Sequence, residues 1–70
     1  MFNDKVDAWV CGWLSSGRSY QEGIDHCIWQ AHYEKEKPHA VSFWRSCENM
    51  LEANKAFDES VEKMLKARSA

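Results

Sequence analysis

The sequence predicts an all-α fold of three helices, short, medium and long, on three observations. Apolar residues recur at steps of three and four in each third of the chain. No segment alternates apolar and polar residues as a half-buried strand would. Helix-ending signals at Gly17 and Pro38 then cut the helical pattern twice. The 70 residues read as a single α-helical domain spanning 1–70.

The first helix is expected to begin at Asn3 or Asp4, good caps, with Asp7 adding negative charge where the helix dipole favours it. Val6, Trp9, Val10, Trp13 and Leu14 fall at helical spacing and make one apolar face. The helix should stop at Ser15-Ser16-Gly17, because glycine enters the left-handed region that closes a helix without steric cost.

Ser19-Tyr20-Gln21-Glu22 has the spacing of a capping box and starts the second helix. Its inward face should hold Tyr20, Ile24, Cys27, Ile28 and Ala31, with Gly23 allowing a neighbour to come close. His26, Trp29 and Tyr33 lie on another face. Proline disfavours helical geometry in the residue before it, so this helix is expected to end near Lys37. Pro38 suits the first position of the next.

The third helix, read from about His39 to Ala67, would be about 42 Å long at 1.5 Å per residue, more than either preceding helix can cover. Phe43, Cys47, Met50, Asn54, Phe57, Val61 and Met64 form a stripe along it, apolar at every position except Asn54 and widened by Leu51, Leu65 and Trp44. A second copy of the chain is the simplest cover. The expected interface of a helical homodimer is therefore Phe43, Cys47, Met50, Leu51, Asn54, Phe57, Val61, Met64 and Leu65. Asn54 occupies a core-type position, where a buried amide can fix register between paired helices. Ser46, Ala53, Ser60 and Ala67 keep one flank small and permit close packing.

Composition supports association. A domain this small buries only about 60% of its unfolded surface, and four Trp, two Tyr and three Phe are more large rings than so small a core hides. The net charge of −2, with no run of like charge longer than two residues, is not that of a phosphate-backbone binder. Cys11, Cys27 and Cys47 are odd in number and far apart, unlike a secreted disulfide framework, and read as reduced packed residues. No segment is apolar enough to span a membrane, and Asp4, Lys5 and Asp7 interrupt any signal-peptide core. The expected location is cytoplasmic.

No chemistry of a metal, cofactor or catalytic site emerges. His26, Cys27, His32 and His39 show neither C-x2-C nor H-x3-H spacing, His26 and Cys27 point about 100° apart on a helix, and no oxyanion loop accompanies Asp25, His26 and Cys27. Two binding functions remain. The first two helices and the Gly17 turn have the outline of a helix-turn-helix DNA-binding regulator. Glu22 and Asp25 sit where such a reader would carry Arg, Lys, Asn or Gln, which disfavours nucleic acid. The better expectation is a non-enzymatic protein-binding regulator, an adaptor or inhibitor of a larger protein, with the build of small phage or mobile-element proteins. Trp29, Tyr33, His39, Trp44 and Arg45 are expected to gather at the Pro38 corner, with Arg18 in the preceding turn, as the partner-binding residues.

Overall fold

A computed structural model gives the fold and describes residues 4–68. Three helices follow one another: α1, Asp4–Ser15; α2, Tyr20–Tyr33; and α3, Pro38–Arg68. Asn3, a cap candidate for α1, lies outside the described residues. α1 ends as its sequence requires: Gly17 takes φ of +82°, and its amide donates to the Leu14 carbonyl at 3.2 Å. At the start of α2 the Ser19 hydroxyl accepts from the Glu22 amide at 3.1 Å. The Glu22 carboxylate does not return the bond, so one arm of the capping box is made.

α2 ends at Tyr33, four residues before the expected boundary near Lys37. Glu34 closes it, residues 34–36 form the turn, and Pro38 opens α3 from its first position. The chain has to reverse before Pro38 can start a new helix, and that reversal takes Glu34, Lys35 and Glu36 out of α2. The turn is held from both sides. The Glu34 carboxylate accepts from the Trp44 indole Nε1 at 2.8 Å and meets the Lys37 ammonium at 4.0 Å.

The helices run up, down and up. Lys5 shares a cleft with His39 and Phe43, Trp9 meets Trp44, and Trp13 sits against Gly23 near Leu51, so α1 runs alongside α3 in the same direction. α2 runs back against both and packs along α3 most closely. Val6, Val10, Ile24, Cys27, Cys47 and Leu51 form the core, with Trp9, Trp13, Leu14, Tyr20, Phe43, Trp44 and Met50 packed around it. Gly23 makes the crossing possible. A Cβ there would stand 2.7 Å from the Trp13 Nε1 and 2.8 Å from a Leu51 methyl, so any larger residue forces the Trp13 indole and the Leu51 side chain to shift.

Four expectations about packing are corrected. Cys47 and Leu51, expected in a dimer interface, have no exposed surface and belong to the chain's own core, because α1 and α2 cover the first half of α3. Ile28 is half exposed rather than inward, since it lies at the outer edge of the α2–α3 contact. Cys11 is exposed, because it sits a full helical step round from the buried Val10. His26 leaves the face of Trp29 and Tyr33 and joins α1, its ring stacked 5.8 Å from Trp9 and 5.6 Å from Trp13.

α3 outruns its cover. At 31 residues it is about 46 Å long against about 18 Å and 21 Å for α1 and α2. Near the start of α2, Lys55 Nζ donates to the Gln21 side chain at 2.9 Å and the Tyr20 hydroxyl donates to the Asp58 carboxylate. That bond raises the Tyr20 pKa, because the phenol donates to, and lies beside, a negative group. From Glu59 to Arg68 every residue is exposed. The molecule measures 51 × 23 × 20 Å, with a radius of gyration of 14.2 Å where a compact chain of this length would have about 11 Å.

Candidate partner-binding surfaces

The six residues expected to bind a partner fall into separate places. Trp29 and Tyr33 are one unit. They lie one helical turn apart on the solvent side of α2, with rings stacked at 5.2 Å and 15°, and they are 58% and 73% exposed. Leaning long side chains toward the N-terminus of a helix aims Trp29 over the turn that carries Asp25 and Glu22. Both carboxylates share its exposed face, and neither has an ion-pair partner among the described residues. The platform is therefore aromatic at one end and anionic at the other.

Trp44 is elsewhere. It meets Trp9 edge-on at 5.2 Å, Phe43 at 4.9 Å and His26 at 5.5 Å, with its indole nitrogen satisfied by Glu34. Trp29 and Trp44 do not pack on one another. Trp44 is a structural residue of the α1–α3 junction, and its indole pins the turn between α2 and α3. Arg18 lies over the Trp13 ring, its guanidinium carbon 4.7 Å from the centroid, while the Trp13 Nε1 donates to the Ser19 carbonyl at 3.0 Å. Arg18 is thus committed to the α1–α2 turn. His39 and Arg45 line different clefts. His39 borders an open one of about 520 Å³ with Lys5, Glu34 and Phe43, and Arg45 borders one of about 470 Å³ with Ile28, His32 and Val41.

The second candidate surface is the free end of α3. Phe57, Val61, Met64 and Leu65 are 67%, 37%, 59% and 60% exposed, and their spacing puts them on one face. That face continues the stripe of Phe43, Cys47 and Met50 past the point where the other helices stop. Asn54 marks the boundary. It is half-buried, and its amide donates to the carbonyl of Met50 one turn back at 2.9 Å, so its donor is satisfied within α3.

Among the described residues, no three His, Cys, Asp or Glu side chains come together to hold a metal ion, and no helix is long and apolar enough to cross a membrane. Burial holds the Cys27 thiol up to about 12, with Cys47 and Glu48 nearby adding to the effect, and holds Cys47 up to about 11. Both thiols stay protonated and poor nucleophiles at neutral pH. The chain matches no family model, and no curated protein or solved structure matches it.

The exposure of the Trp29–Tyr33 platform was legible in part, since both residues lie off the inward spacing of α2. The place of His26 was not. Spacing tells which face of a helix a residue occupies, but not which neighbour lies across from it.

Proposed function

We propose that the protein is a small, non-enzymatic, cytoplasmic protein-binding regulator, an adaptor or inhibitor that acts as a homodimer. The observation that carries this reading is the stacked Trp29–Tyr33 pair, presented to solvent while Trp9, Trp13 and Trp44 are packed. Large rings held flat by stacking lose little freedom on binding, and Trp and Tyr dominate interface energetics. The free end of α3 supplies the dimer surface, now confined to Phe57, Val61, Met64 and Leu65.

The test is affinity capture from lysate of the natural host with the wild-type protein and with Trp29→Ala/Tyr33→Ala. The double variant should keep its helical circular dichroism and melting point within about 3 °C, since both side chains lie outside the core, an effect of roughly 0.5 kcal/mol or less. A specific protein retained by the wild type and lost with the double variant is the expected result. Retention of DNA that falls steeply with salt and needs Arg18, with the aromatic pair dispensable, would replace this reading by the helix-turn-helix one.

A further inference from the structure

The geometry points to a second copy of this chain as the occupant of the free end of α3, laid antiparallel to it, tail against tail, with the two-fold axis near Val61. This rests on the homodimer reading above and adds its orientation, its register and the residues that meet.

Two observations converge on it. The first is steric. α3 is one continuous helix, and the face that bears Phe57, Val61 and Met64 is the face that α1 and α2 cover upstream. A parallel partner laid on that face would carry its own upstream half into the space that α1 and α2 already fill. An antiparallel partner enters from the open end and first meets α2 at the flank of the stripe, where Tyr20 and Gln21 reach Asp58 and Lys55. Matching the exposed apolar residues from Phe57 to Leu65 of the two copies sets the axis at Val61, with Phe57 and Leu65 at the same level.

The second is area. A compact protein of 8.2 kDa exposes about 4,500 Å², whereas this chain exposes 5585 Å². The excess of about 1,000 Å² is of the size that each partner of a standard interface loses, about 800 Å². Phe57, Met64 and Leu65 provide its apolar part.

Pulsed electron–electron resonance on a spin label at Ser42→Cys, in a Cys11→Ser background, decides the orientation. Ser42 is exposed, and Cys27 and Cys47 have no accessible surface to label. Ser42 lies about 28 Å along α3 from Val61, so the antiparallel dimer puts the two labels about 57 Å apart, and a parallel one under about 30 Å. The expected result is the long distance, together with its disappearance and a monomer mass in light scattering when Val61→Lys or Met64→Lys is added. Neither variant touches the head of the molecule, and circular dichroism verifies that each remains helical. A short distance in a dimer overturns the orientation and leaves the homodimer reading standing. A long distance that survives both lysine variants places the interface on another face and overturns the assignment of the tail. A monomer at about 100 μM, well above the low-micromolar range, overturns the dimer itself.

Discussion

Cys27 and Cys47 have no exposed surface, and their thiols differ from the third in a way that can be measured. A thiol raised in the folded state is protonated there at a pH where the unfolded chain has already released its proton. Its contribution to stability is complete below the ordinary thiol value near 8.5 and is lost as pH rises toward the folded values of about 11 and about 12. The urea midpoint should therefore hold from pH 7 to about 8 and then fall between about pH 9 and 11. Replacing both buried thiols by Ala should lower stability at pH 7 and flatten that alkaline fall. Ellman's reagent at pH 8 should modify one thiol per chain rapidly, Cys11, and the other two only when the protein unfolds. Rapid modification of all three would show that the core opens far more readily than its burial implies.

At the scale of the helix, the beginnings are set locally and the ends are not. The Ser19 hydroxyl satisfies the Glu22 amide at 3.1 Å, a bond within one turn of chain, and this is why the start of α2 was readable from four consecutive letters. Ser19→Ala should cost about 1 kcal/mol, seen as a lower thermal midpoint, and Ser19→Asp should restore most of it. The same change leaves the Trp13 bond intact, because that one goes to the Ser19 carbonyl. The end of α2 depends on the turn that follows. Lys35 and Glu36 are adequate helix formers, and beside the break that Pro38 imposes, the bond of Trp44 to Glu34 accompanies the earlier end at Tyr33. The stripe on α3 was likewise readable as a face, but its division was not. Periodicity runs unbroken from Phe43 to Met64, and the place where cover gives out, between Asn54 and Phe57, follows from the lengths of α1 and α2 and from how they lean. Trp44 fell between the two cases. Its position on α3 was plain, while its neighbours Trp9 and His26 come from other helices and from a crossing that Gly23 permits.

For the whole molecule the governing quantity is the ratio of covered to uncovered helix. A head of three helices holds the buried core, and from Glu59 to Arg68 every residue of α3 is exposed. An isolated helix of ten residues is marginal in water, so its order must come either from propagation out of the head or from a partner. If pairing of the tails supplies it, folding and association are linked, and the melting point depends on concentration. A hundredfold rise in protein concentration favours a dimer by about 2.7 kcal/mol, or about 1.4 kcal/mol per chain, which for a domain of this size moves the midpoint up by about 5 to 10 °C. Calorimetry at about 5 μM and 500 μM should show that displacement for the wild type. Val61→Lys should show none, and it should melt at or below the dilute wild-type value, because the lysine removes the paired state and leaves the core of the head in place. A midpoint that stays constant over the same range in the wild type would mean that the head folds independently and the exposed face of α3 contributes nothing to the stability of the free protein.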